Sequence, residues 1–110
     1  MRFLLLTFAP PTSEDVLPDA TVRTAVDRFN RALRAAGVLL GTDRLRSTRD
    51  RSRGHGAADT GDGAMQGAVS GYWLIQVRSL DEALAWASRC PLAPDEGIDV
   101  RQAIPHEASV

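Results

Sequence analysis

The chain has 110 residues, of which 44% are hydrophobic and 25% charged, and this predicts one soluble globular domain spanning 1–110. The 14 acidic and 13 basic residues leave a formal charge of −1, which argues against a nucleic-acid partner. A single cysteine excludes an internal disulfide framework and a multi-cysteine zinc site. No apolar run approaches the roughly 20 residues that span a bilayer, so we expect no membrane partner.

The first apolar stretch predicts a buried strand over residues 2–8. It resembles the core of a signal peptide, but it is short, Pro10 and Pro11 follow at once, and no convincing cleavage site comes after. We therefore expect a cytoplasmic protein. Residues 10–19 are rich in turn-forming types and predict a loop.

The next segment has the periodicity of an amphipathic helix, predicted over residues 20–36. Its apolar stripe is formed by Val22, Val26, Phe29, Leu33 and Ala36. Arg23 and Asp27 fall on the opposite, polar face. Asp19 precedes the helix as a suitable N-cap, and Gly37 follows it as a suitable left-handed C-terminal residue.

A second strand is predicted from Val38 to about Leu45. Residues 46–70 then change character, with several arginines and glycines and few apolar side chains. This stretch is too long for an ordinary connection in a compact domain. It is predicted to be either a flexible excursion or a weak hairpin.

The last part of the chain predicts a strand, a helix and a further strand. Residues 72–78 are aromatic and β-branched, which favours a strand. Ser79 and Glu82 have the spacing of a capping box, and the helix that they start is predicted to end near Arg89, before Pro91. Residues 98–103 alternate as a half-buried strand does, and 105–110 form a tail.

The predicted order is therefore β-α-β-β-α-β, with the excursion between the two central strands. Two helices on one face of an antiparallel sheet give a ferredoxin-like α+β fold. Both alternating sets of side chains in residues 3–8 and 72–77 are largely apolar, so both faces of the sheet need cover. A second copy of the chain supplies this cover most simply, which predicts a homodimer, a dimeric α+β barrel.

Several segments together resemble the YCII-related family, also called the DGPF-domain family. The resemblance covers nearly the whole chain and is most specific from Gly71 to Pro91. Its segments are Ala35-Ala36-Gly37-Val38-Leu39-Leu40, Gly71-Tyr72-Trp73-Leu74-Ile75, Leu80-Asp81-Glu82-Ala83-Leu84-Ala85-Trp86-Ala87 and Ile98-Asp99-Val100-Arg101. Membership would imply the same dimeric ferredoxin-like barrel.

The chain departs from the family pattern in the excursion. Asp62 and Gly63 are followed by Ala64 and Met65, where relatives typically carry Pro-Phe. Some relatives are small lyases, and others are domains of unknown function associated with sigma factors. The resemblance therefore implies either a cofactor-independent lyase or isomerase that uses proton transfer, or a non-catalytic ligand-binding or regulatory interaction module.

Asp43 and His55 are the candidate catalytic residues. Asp43 lies in a predicted strand where relatives often carry an acid, and a carboxylate beside a pocket can act as a general base. The alternative is an edge-strand acid paired with a neighbouring arginine. His55 can shuttle protons near neutral pH, although a histidine between glycines in a polar loop is more often only solvated.

The candidate substrate-binding residues are Arg44, Arg46, Asp62 and Tyr72. Arginine forks suit an anionic substrate, and Tyr72 can form an aromatic pocket wall. Arginines in a polar loop are also typical of a solvated face, and Asp62-Gly63 is also a common turn dipeptide. Two histidines are too few for the usual zinc ligand set, and no motif indicates a cofactor.

Overall fold

A computed structural model of the chain describes residues 1–9, 19–45 and 68–106. Along the chain the elements are β1 (Arg2–Ala9), α1 (Ala20–Ala35), β2 (Leu39–Arg44), β3 (Ala68–Gln76), α2 (Leu80–Ala87) and β4 (Gly97–Ala103). The strands form one antiparallel sheet in the order β2-β3-β1-β4. The predicted ferredoxin-like α+β class is confirmed.

The helix ends follow the predicted capping chemistry. Asp19 Oδ1 accepts a hydrogen bond from the Val22 N–H at 3.0 Å, and Gly37 has a φ of 75°. Ser79 Oγ accepts from the Glu82 N–H at 3.1 Å, while Glu82 Oε1 accepts from the Arg78 N–H at 3.0 Å. These hydrogen bonds satisfy donors that the helices cannot satisfy internally, so they set where each helix begins, and the left-handed Gly37 follows the end of α1.

Both helices pack on the same face of the sheet, which we call the covered face. Its core consists of Phe3, Leu5, Phe29, Leu33, Trp73, Ile75, Val77, Ala83 and Cys90. The Phe29 ring meets the Trp73 ring edge-on, with their centroids 5.3 Å apart. Alternate residues of β1 and β3 thus form the core, and Cys90 is buried as predicted.

The other side of the sheet, the open face, is also apolar at its centre. In the β1–β3 register Leu4 lies opposite Leu74, and Leu6 lies opposite Tyr72. All four side chains are only half-buried. The predicted apolar character of both sheet faces is therefore present, and the homodimer remains a prediction.

Two irregularities in strand pairing change which face of the sheet a side chain occupies. The β1–β3 register shifts between Thr7 and Phe8, and the β2–β3 register shifts between Leu39 and Gly41. A single extra residue on one strand moves every later side chain to the other face. These shifts therefore decide which polar side chains reach the helices.

Some predicted boundaries are wrong. β3 begins at Ala68, so residues 68–70 belong to the sheet rather than to the excursion. Strand pairing continues there because the register shift lets Val69 pair with Phe8. Ala36 caps α1 and is exposed instead of joining its apolar stripe. The prediction of a flexible segment or hairpin over 46–67 lies outside the described residues. Neither helix in the described ranges is long and apolar enough to cross a membrane.

Candidate functional site

A pocket of about 480 Å³ lies at one end of the layer between α1 and the sheet. It is the end where β1 finishes, β3 begins and α1 starts, opposite the end occupied by Phe3 and Ile75. Apolar walls are contributed by Val22, Val26, Trp73 and Pro91. The volume and the apolar lining are typical of small-molecule sites.

Two neutral polar side chains in the pocket are fixed by hydrogen bonds to the protein. The Trp73 indole Nε1–H donates to Asn30 Oδ1 at 2.6 Å, which ties β3 to α1 beside the core. The Thr42 hydroxyl donates to the backbone carbonyl of Tyr72 at 2.8 Å. Both groups belong to regular elements, so this part of the pocket wall is held in one arrangement.

Charged residues of both signs also line the pocket, namely Arg23, Arg44, Asp27, Asp43 and Glu96. Arg23 and Asp27 were predicted on the polar face of α1, yet both line the pocket near the start of that helix. An arginine can bind a carboxylate or phosphate through paired N–H donors. The mixture of signs suits a ligand that carries an anionic end and a hydrogen-bond donor.

A short chain of hydrogen bonds crosses the inner wall of the pocket. Thr7 Oγ1 lies 2.9 Å from Ser70 Oγ, and the Ser70 hydroxyl donates to Glu96 Oε2 at 2.9 Å. The other carboxylate oxygen, Glu96 Oε1, accepts from the Ala93 N–H at 3.0 Å. Thr7 and Ser70 are buried, so the Glu96 carboxylate bonds directly to one buried hydroxyl and is linked through it to a second.

Gly71 allows this close packing. A Cβ at Gly71 would lie 3.2 Å from the backbone oxygen of Asp43 and 3.3 Å from Thr7 Oγ1. Both distances are shorter than ordinary van der Waals contact, and one of them is to backbone that cannot swing away. Glycine is therefore the residue that lets β2 and the Thr7 hydroxyl approach β3 here.

The candidate base Asp43 has its carboxylate on the open face, opposite the helices. Asp43 pairs with Tyr72, and the Tyr72 hydroxyl donates to Asp43 Oδ2 at 2.6 Å. This hydrogen bond, then partial burial and the negative charge of Asp43, raise the pKa of Tyr72 above its usual value of 10.0. Asp43 also lines the pocket, and its backbone oxygen lies on that side, next to Gly71.

Cys90, just after α2, is influenced by the charge of Glu96. Burial, and secondly the negative charge of Glu96, raise the pKa of its thiol to about 12. The thiol hydrogen points to the Pro91 carbonyl, with sulfur and oxygen 3.7 Å apart. Cys90 is therefore a protonated packing residue at neutral pH, and an ineffective nucleophile there.

Of the predicted site residues, Asp43, Arg44 and Tyr72 lie among the described residues. Asp43 and Arg44 both line the pocket, whereas Tyr72 is on the open face and reaches the site only through Asp43. His55, Arg46 and Asp62 lie outside the described residues. Their predicted roles stay predictions.

The polar pocket residues that the sequence did not predict as site residues include Thr7, Asn30, Ser70 and Glu96. Thr7 did leave a signal, because it is the polar member of the alternating set Phe3, Leu5, Thr7 in an otherwise apolar strand. Ser70 and Glu96 left none, since both stand in polar stretches and meet only after the sheet forms. Across the described ranges no three His, Cys, Asp or Glu side chains are placed to hold a metal ion.

Comparison with known families gives one match. The model of the YCII-related domain matches residues 1–106, which is nearly the whole chain. No curated protein matches the sequence. The match includes the strand and helix from Gly71 to Pro91 on which the resemblance mainly depended, and it includes every described pocket residue.

Proposed function

Because the chain belongs to the YCII-related family and carries a lined pocket under α1, we propose that it is a small-molecule-binding protein with an anionic ligand. The observation that carries the proposal is the pocket itself. It combines a wall formed by Trp73, Val26 and Pro91 with inward polar groups, in a volume of about 480 Å³. Pockets of this kind are the usual sites for small ligands.

The anionic end of the ligand is placed beside Arg44 and Arg23. Both arginines line the pocket near the N-terminus of α1, a helix of 16 residues whose dipole adds positive potential at this end. The apolar part of the ligand then lies against the Trp73 ring. Arg46 follows Arg44 by two positions and is proposed to contribute to the same anion site.

The direct test is a binding screen of small carboxylic acids, each paired with its uncharged amide. Ligand-observed NMR on the whole chain should show binding of acids in preference to amides, and Arg44→Gln should weaken it by about tenfold. Arg34→Gln is the matched control, because Arg34 is an exposed arginine in the last turn of α1 and does not line the pocket. Equal binding of acids and amides, or equal losses in both variants, would contradict the anion site.

We further propose that the open face is covered by a second copy of the chain, giving a dimeric α+β barrel. The centre of this face holds the half-buried Leu4, Leu6 and Leu74, and its β4 edge carries the Asp99–Arg101 ion pair at 3.0 Å. An apolar centre with a charged rim is the usual composition of an interface.

Light scattering tests the dimer, which should have twice the chain mass of 11.9 kDa. Leu74→Asp should give a folded monomer, since the side chain lies on the open face. Leu84→Asp changes an exposed leucine on α2 in the same way and should leave the dimer intact. A wild-type monomer at micromolar concentration would refute this part of the proposal.

A second candidate function is catalysis of proton transfer, as a cofactor-independent lyase or isomerase with Asp43 as base and His55 as partner. The favouring observation is the 2.6 Å hydrogen bond between Tyr72 and Asp43, which pairs a carboxylate with a weak acid. In the proposed dimer this pair would face the second copy. If the protein catalyses no reaction, ligand binding in the pocket under α1 would make it a non-catalytic ligand-binding or regulatory interaction module.

Solvent deuterium exchange separates catalysis from binding alone. If the second candidate holds, small carboxylates in heavy water should exchange the proton next to their carboxylate group for deuterium at the open face, where Asp43 and Tyr72 meet. Asp43→Asn should slow that exchange by roughly 10²-fold or more, a typical loss on removing a general base. Binding in the pocket under α1 should stay unchanged, because the Asp43 carboxylate is on the other face of the sheet. Absence of exchange for every binding acid would favour the non-catalytic module.

A further inference from the structure

The hydrogen-bond chain of Thr7, Ser70 and Glu96, which we call the hydroxyl chain, has a fixed direction. A carboxylate only accepts hydrogen bonds, so the single hydroxyl proton of Ser70 goes to Glu96 Oε2 at 2.9 Å. Ser70 Oγ must then accept from Thr7 at 2.9 Å. The alternative acceptor for Thr7 is the Gly71 carbonyl, which is farther away at 3.4 Å.

This direction determines what the hydroxyl chain can offer to a ligand. Both hydroxyl protons point along the chain toward Glu96, so neither is available to a ligand acceptor. Thr7 lines the pocket and its Oγ1 retains its lone pairs, so it can accept a hydrogen bond. The charge of Glu96 at the far end polarises both hydroxyls in a buried setting, which makes Thr7 a better acceptor.

A strand irregularity builds this arrangement. Val69 lies opposite Phe8, and Gly71 lies opposite Thr7, so Ser70 is the extra residue of a β-bulge. In a regular strand Ser70 would face away from Gly71, on the open face. The bulge turns its hydroxyl to the covered face, where it is buried and reaches Glu96 on the loop before β4.

From this geometry we infer that the hydroxyl chain is a hydrogen-bond-accepting subsite, and that the ligand is a small carboxylate bearing a hydroxyl or ammonium donor. The inference rests on the proposed function, which supplies the anion site at Arg44. It adds the opposite end of the ligand: a donor group directed at Thr7 Oγ1, with the apolar body beside Trp73. Ser70 and Glu96 act as positioning residues that hold the Thr7 proton away from the ligand.

Three acids of one skeleton test the inference: phenyllactate, phenylalanine and phenylpropionate, which carry a hydroxyl, an ammonium and no donor. Calorimetry on the whole chain should give roughly three- to tenfold tighter binding for a donor-bearing acid than for phenylpropionate. Thr7→Val should abolish that preference, and Thr7→Ser should retain it. Thr42→Val is the matched control, because that hydroxyl lines the same pocket but donates to the Tyr72 carbonyl, so the preference should survive.

The outcomes separate this inference from the proposed function. If all three acids bind equally, or if the preference survives Thr7→Val, the accepting subsite is refuted while the anion site still stands on its Arg44 dependence. If none of the acids binds, both are refuted. Ser70→Ala is a second variant in case Thr7→Val does not fold, and it should reduce the preference, because Thr7 Oγ1 loses the polarisation that Glu96 supplies through Ser70.

Discussion

The two ends of the layer between α1 and the sheet are built from the same strands and the same helix, yet they differ completely in chemistry. At one end Phe3, Ile75 and Leu33 are buried at 2%, 0% and 0% exposure. At the other end the same alternation places Thr7 and Gly71 on the covered face, together with a pocket. The first end supplies stability, and the second gives up apolar contact to keep polar groups around a cavity.

The transition between the two ends occurs at Trp73. Its ring packs edge-on against Phe29 in the core, while its indole N–H donates to Asn30 in the pocket wall. One side chain therefore belongs to both regions. Because stability is supplied by the core end, polar variation at the pocket end can change binding with little effect on folding.

The largest expected loss of stability comes from a substitution in the core end of the layer between α1 and the sheet. Ile75→Asp places a carboxylate in a fully buried position without a partner, and we expect loss of the native fold by circular dichroism. Gln76→Asp adds the same group one residue later, where the side chain is exposed, and should fold normally. A folded Ile75→Asp protein would contradict the assignment of this residue to the core.

Truncations along α1 sharpen the comparison in quantitative terms. Leu33→Ala should lower the free energy of unfolding by about 2–5 kcal/mol, because the fully buried side chain leaves a cavity. Val22→Ala, on the pocket side of the same helix, should cost about 1 kcal/mol or less. Urea denaturation measures both. Equal losses would mean that the pocket end contributes to stability as much as the core does.

Much of the fold could be predicted from sequence because its signals are local. The periodicity of α1, the Asp19 cap and the left-handed Gly37 depend on neighbours within a few positions. The face of Asp43 could not be predicted in this way. Counting by two from Leu39 puts Asp43 on the covered face, but the register shift between Leu39 and Gly41 turns it to the open face.

The pocket was less predictable because its contacts depend on strand pairing and not on neighbours in the sequence. Thr7 and Ser70 are 63 positions apart, and Ser70 and Glu96 are 26 apart, so these contacts exist only after the sheet assembles. The neighbouring Gly71 is typical of a bulge, but it does not predict which face the Ser70 side chain takes. Residue types alone therefore predicted Asp43 as the carboxylate of the site. The carboxylate that is hydrogen-bonded to the buried Ser70 hydroxyl belongs to Glu96 instead.

A smaller loss of stability is expected from adding a side chain at Gly71, where β2 and β3 pack closely at the pocket end. Gly71→Ala should lower the free energy of unfolding by about 1–3 kcal/mol, since its Cβ would press on the Asp43 backbone and on Thr7. Gly41→Ala is the control in β2, where a Cβ would meet nothing within 4 Å. Thermal unfolding that is unchanged in both variants would show that β2 and β3 can separate at little cost.

The smallest expected effect concerns pH. Tyr72 is the only tyrosine, so phenolate absorbance reports its titration alone. Its pKa should lie above 10.0, and Asp43→Asn should lower it by removing the charged acceptor. Because folding raises this pKa, the associated stability is present below pH 10.0 and is lost as pH rises through the folded-state pKa. A titration unaffected by Asp43→Asn would contradict the hydrogen bond.

The most direct test of the central claim, that the pocket end binds a small carboxylate, is heteronuclear NMR of the whole chain titrated with phenyllactate. We predict shifts concentrated in the backbone amides of Thr7, Ser70 and Gly71 and in the Trp73 indole N–H. Resonances of Leu33 and Val77 in the core should stay in place. Shifts confined to Leu4, Leu6 and Leu74 on the open face would contradict the claim, because the ligand would then occupy the wrong side of the sheet.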